Sequence, residues 1–155
     1  MYQIGPNSFL KVITVGFVPG PYQGTAHQHK KVYDTIKEWE KYANVTFQPA
    51  EGADAMVRIA FRVSDKYGGD WSGVGVDILT NLKDFPKGES TMNLETVKDR
   101  ARMAPWESGT ILHEFGHVLG LYHEHQSPAR GGKITLKRDG MLSRYFFLCL
   151  VLILR

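Results

Sequence analysis

The alternation of apolar and polar positions divides the chain into a strand, a helix and two further strands before a second helix. Leu10 to Val18 (LKVITVGFV) is nearly all apolar or β-branched and predicts a strand buried on both faces of a sheet, ended by Gly20-Pro21. From about Gln28 to Tyr42, Val32, Ile36, Trp39 and Ala43 recur at helical spacing, while Lys30, Lys31, Asp34, Lys37, Glu38 and Lys41 fill the opposite face. That is the pattern of an amphipathic helix laid on a sheet. Val45 to Gln48 predicts a short strand. In Met56 to Val63, Val57, Ile59, Phe61 and Val63 alternate with Arg58 and Arg62, so a strand with an apolar and a basic face is expected. Gly68, Gly69, Gly73 and Gly75 loosen the next stretch, Thr91 to Leu94 predicts a brief strand, and a helix is expected from about Ser108.

The second helix carries the chemistry. Its sequence runs His113-Glu114-Phe115-Gly116-His117-Val118-Leu119-Gly120-Leu121-Tyr122-His123. Each helical residue turns the direction by roughly 100°, so His113 and His117 project from one face a single turn apart and can grip one ion. Ile111, Phe115, Val118 and Leu119 fall on nearly the opposite side, as a core-facing stripe. Gly120 stands where the helix should stop, and glycine readily takes the left-handed conformation that redirects the chain and lets His123 approach as a third ligand. Three imidazoles with an open fourth position are the arrangement of catalytic Zn2+; a structural site would close with a fourth protein ligand. Glu114, beside the first ligand, is positioned to take a proton from a water acidified at the open position to a pKa of about 7. His125 could compete with His123, although the spacing from Gly120 favours His123. His27 and His29 flank a helix start and read as solvated polar residues. Asp65, Asp70 and Asp77 lie in or near the glycine-rich loop without the spacing of a calcium loop and read as turn formers.

Composition narrows the remaining classes. The chain has 155 residues, 43% hydrophobic and 23% charged, which suits one domain with a single core. The net charge of +3 comes from Lys and Arg interspersed with acidic residues, which argues against nucleic acid as a partner. Cys149 is the sole cysteine, so no intrachain disulfide can form. Met1 to Leu10 lacks the basic and long apolar regions of a secretory signal. The compartment and the oligomeric state stay open.

The stretch His113 to His123 resembles the extended metzincin zinc-peptidase pattern. Trp71-Ser72-Gly73-Val74-Gly75, Thr91-Met92-Asn93-Leu94, Gly109-Thr110-Ile111-Leu112 and Tyr122-His123-Glu124-His125-Gln126-Ser127-Pro128 look like segments of astacin-like and matrixin-like fungal and bacterial peptidases. Glu124 after the third histidine is an astacin-like feature. The resemblance, over roughly Leu10 to Lys137, implies an α+β metzincin (zincin-like) N-terminal subdomain: a mixed, twisted sheet, a backing helix and an active-site helix below a cleft. It also implies a protein or peptide substrate paired antiparallel with an edge strand, for which Trp71 to Asp77 is the expected rim. Family members are often secreted.

Two features depart from that pattern. Met141, in Asp139-Gly140-Met141-Leu142-Ser143, does not match the methionine turn that metzincins carry beneath the metal, and Cys149 is not in a zinc-blocking motif. Residues 145–154 form a run of ten apolar residues, well short of the ~20 needed to span a bilayer, so no membrane span is expected. The expected division is a metallopeptidase catalytic domain at 1–137 and a divergent apolar tail at 138–155. The tail reads either as a truncated or altered continuation or as a short final strand. The leading functional expectation is a zinc-dependent metalloendopeptidase with Glu114 as general base. The alternatives are a zinc-binding but inactive fragment, or an interaction module that uses the rim.

Overall fold

The first apolar run becomes β1 (Lys11–Phe17), the second strand from one edge of a five-stranded sheet. The computed structural model of the chain describes residues 11–63, 68–123 and the backbone of 150–151. Asp65, Glu124, His125, Met141, Cys149 and most of the apolar run at 145–154 lie outside the described residues. Chain order continues with α1 (Ala26–Ile36), a 3-10 turn (Trp39–Lys41), β2 (Val45–Pro49), β3 (Val57–Ala60), β4 (Asp70–Ser72), α2 (Asp77–Thr80), β5 (Met92–Leu94) and α3 (Pro105–Val118). Strand order across the sheet is β2-β1-β3-β5-β4. The β1/β2, β1/β3 and β3/β5 pairs are parallel and β4/β5 is antiparallel, which makes the sheet mixed, as expected. Beyond α3, β6 (Tyr122–His123) pairs antiparallel with β7 (Leu150–Val151). No helix among the described residues is long and apolar enough to cross a membrane.

One core holds these elements together. Val15, Val57, Ile59, Met92 and Leu94 from the sheet meet Val32 and Ile36 of α1 and Ile111 and Phe115 of α3, all essentially without solvent contact. Each such side chain contributes roughly 1.5–3 kcal/mol through removal from water. Ile111, Phe115 and Val118 are buried as the helical stripe requires, and Leu119 packs partly buried against the same cluster.

Tertiary contacts alter several local expectations. β1 is not buried on both faces, because Val12 is 40% exposed while Ile13, Val15 and Phe17 point inward. The first helix begins at Ala26, where Thr25 forms a capping box: Gln28 N donates to Thr25 Oγ1 and Thr25 N to Gln28 Oε1. It ends at Ile36 rather than Tyr42. The tighter turn at Trp39–Lys41 brings the Trp39 indole N–H to the Leu112 carbonyl of α3, at 3.1 Å. Lys31, expected on the polar face, is 4% exposed because Glu107 of α3 receives its ammonium. Arg58, expected on an outward basic face, is buried with its guanidinium donating to the carbonyls of Glu89, Ala55 and Pro86. His29 is half-buried rather than fully solvated: it lies within α1, stacked on Phe17 with centroids 3.6 Å apart. Asp70 belongs to a strand and Asp77 opens a short helix, so neither is simply a turn former. The expected rim at Trp71 to Asp77 is in fact an edge strand at Asp70–Ser72 followed by a loop into α2.

The two sheet edges are chemically different. Lys11 N donates to Asn44 O and Ala50 N to Val15 O, so Thr46 and Gln48 face β1 and the backbone groups of Val45, Phe47 and Pro49 point outward. None of these three offers a donor. Val45 N is turned to Ala43 O, Phe47 N to the Glu40 carboxylate at 2.8 Å, and proline has no N–H. On the opposite edge, Gly73 N donates to Thr91 O and Trp71 pairs with Asn93, so the backbone groups of Asp70 and Ser72 face outward. Among the described residues no strand pairs with that edge.

Candidate metal centre and active site

The chain reaches α3, which carries His113, Glu114 and His117, through an extended Ala104 followed by Pro105 in the first turn, where a missing N–H costs nothing. Glu107 then reaches back to the Ala104 amide at 2.6 Å and satisfies one of the donors left over at a helix start. Its other oxygen accepts from the Lys98 amide at 2.8 Å, and the Lys31 ammonium bonds both oxygens at 3.0 Å. Burial pushes the Glu107 carboxyl up, but the two amides and Lys31 outweigh it and hold the group below the usual carboxylate range. The helix thus starts three residues before the expected Ser108. Pro105 with an acid two positions on is the local signal for that start.

At the other end, Gly120 adopts φ +91°, its N–H donates to His117 O at 2.8 Å, and Leu121 N donates to Gly116 O at 3.0 Å. These are the two bonds of a Schellman termination, with the glycine in the left-handed position. The turn folds Leu121 back over the helix end, and its carbonyl accepts from His117 Nδ1 at 2.7 Å. With its proton on Nδ1, the imidazole presents the lone pair of Nε2 to the open side. Periodicity does not reveal this carbonyl, since it acts through the backbone.

The same turn delivers His123. Its Nε2 lies 3.0 Å from His113 Nε2 and 3.2 Å from His117 Nε2, and the possible ligand atoms of the three side chains all lie within 4.8 Å of one another. His113 and His117 are buried and His123 is half-buried. Tetrahedral Zn–N bonds of ~2.0–2.1 Å would separate the nitrogens by about 3.3 Å, so the donor set fits a zinc ion. Among the described residues this is the one cluster able to hold a metal.

Glu114 is 4% exposed, and its Oε2 has no hydrogen-bond partner among the described residues. Burial raises its carboxyl to about 8, helped by the charge of Asp70 in the rim strand. A divalent cation at the histidines acts in the opposite sense and favours the carboxylate. Asp70 is held in turn by the Thr96 amide, at 3.0 Å from Oδ1. Its influence on Glu114 has no local sequence signal, because the two residues are 44 positions apart in the chain.

A sequence model of the Astacin peptidase family matches residues 20–146. The chain belongs to the astacin family. Within the family, Tolloid-like protein 1 of Mus musculus is 25% identical over 117 residues, 76% of this chain and 10% of that protein. Astacin-like metalloprotease toxin 2 of Loxosceles intermedia is 52% identical over 33 residues, 21% of this chain and 13% of the toxin. A solved structure of myroilysin superposes with a TM-score of 0.63 at 37% identity, covering 77% of this chain and 52% of that one. The fold is therefore the α+β metzincin fold, astacin-like rather than matrixin-like. This astacin-family chain matches about a tenth of the length of the tolloid-like relative and about half that of myroilysin.

Proposed function

We propose that this chain carries the zinc-binding, catalytic part of a metalloendopeptidase that cleaves protein or peptide substrates. The observation that supports this reading best is the convergence of the Nε2 atoms of His113, His117 and His123 beside a buried Glu114 carboxylate oxygen that has no partner among the described residues. The three imidazoles would hold Zn2+, which when bound supplies an acidified water and positive charge for the oxygen of the scissile carbonyl. Glu114 is the general base: it takes the proton of the attacking water and passes it to the leaving amine as the C–N bond breaks. Its withdrawal from solvent and the charge of Asp70 raise its proton affinity, in opposition to a cation at the histidines. The outward amides and carbonyls of Asp70 and Ser72 align an extended substrate by strand addition, which suits unfolded or looped polypeptide. The catalytic subdomain proposed here is residues 1–137, with 138–155 its divergent tail.

The test is hydrolysis of casein or a quenched peptide by the 155-residue chain. Turnover abolished by a zinc chelator, restored by Zn2+ and absent from the Glu114→Gln protein is the expected result. Turnover that survives both treatments would remove the metal and the base from the mechanism.

A further inference from the structure

The loop that leaves β4 and one proposed metal ligand meet at a single backbone oxygen. Three residues beyond β4, Gly75 N donates to the carbonyl oxygen of His117 at 2.9 Å. That oxygen also accepts from Gly120 N, so both of its lone pairs are used: one on the turn that leads to His123, one on the loop that leaves the rim. We infer that Gly75 is a positioning residue that couples metal occupancy to the order of the substrate-binding rim, through its hydrogen bond to His117. The inference rests on the proposed metal site and adds to it a link between zinc and the strand that would receive substrate.

Local geometry makes the link stiff. Gly75 has φ +54°, and a Cβ built there would sit 3.6 Å from Gly120 Cα, so the loop backbone lies directly against the helix-ending turn. Gly73 is more tightly confined, since a Cβ on it would collide with Ile78 and Phe85. The other end of β4 is fixed by Asp70 Oδ1 on the Thr96 amide. A displacement of the His117 carbonyl therefore moves the rim rather than being absorbed by slack in the loop. His117 is the residue a metal would lock: its Nε2 is a proposed ligand, and its Nδ1 is bonded to Leu121 O in the same turn. By linkage, zinc that orders the rim strengthens strand binding at Asp70 and Ser72, and a bound strand strengthens zinc binding by the same factor.

The experiment is residue-resolved amide exchange on the full chain, with and without Zn2+, alongside chelator competition on Gly75→Val and Gly75→Asn. Zinc is expected to slow exchange of the Gly75 amide at least tenfold while leaving the Phe61 amide, bonded to Tyr22 O away from the metal, unchanged. Valine rarely adopts positive φ, so Gly75→Val should weaken zinc binding about tenfold; asparagine tolerates that conformation and should stay close to the parent. Zinc bound with Gly75 exchange unaltered overturns the coupling and leaves the metal site standing. Failure of the parent chain to take up zinc overturns both. Should Gly75→Val fail to fold, the exchange measurement on the parent decides alone.

Discussion

Lys31 of α1 and Glu107 of α3 form an ion pair at 3.0 Å with side chains 3% and 0% exposed, and the pair anchors the start of the helix that carries the proposed ligands. Arg100 approaches the same carboxylate at 3.3 Å from the surface. Removing one partner of such a pair leaves a buried charge uncompensated, which costs ~3–5 kcal/mol. Glu107→Gln is therefore expected to destabilise the fold by about 3 kcal/mol at pH 7, read from urea denaturation. The Glu107 pKa is lowered in the folded state, so its stabilisation is complete above the unfolded carboxyl value and is lost as pH falls through the folded one. The difference between parent and variant should shrink in acid, and a gap independent of pH would refute the assignment.

One zinc per chain is expected by elemental analysis after dialysis, and His117→Ala should abolish it, because two of the three imidazoles cannot hold the ion with comparable affinity. Full zinc retention in that variant would place the metal elsewhere.

Glu114→Gln is nearly isosteric but cannot accept the proton. Zinc content should match the parent while kcat falls at least ~10²-fold. Parental turnover with the glutamine in place would require a different base.

Gly120 tests the turn separately from the ligands. A Cβ at this position meets nothing within 4 Å among the described residues, so the cost of substitution is conformational rather than steric. Gly120→Ala should lose ~1 kcal/mol or more of stability and weaken zinc binding, while Gly120→Asn should lose less, since asparagine tolerates the left-handed region. Calorimetry and chelator competition measure the two effects, and equal losses in both variants would contradict the argument.

Local sequence determined the parts of this protein that depend on spacing along one element. The i, i+4 separation of His113 and His117, the glycine three residues on and the apolar stripe through Ile111, Phe115 and Val118 all follow from helical geometry, and the order of strand, helix, strand, strand follows from periodicity. Partners far apart in the chain are invisible to such patterns. Lys31 reads as a solvated residue until Glu107, 76 positions later, is folded onto it. Arg58 reads as an outward base until the carbonyls of Glu89 and Pro86 surround it, and the first helix reads as longer until Trp39 finds Leu112. Which sheet edge is closed by Glu40 and which, among the described residues, stays unpaired at Asp70 and Ser72 was likewise decided by tertiary structure. So was the elevated proton affinity of Glu114. Periodicity records which face of an element turns inward, whereas charge pairing, desolvation and strand-edge bonding depend on what the fold sets opposite that face.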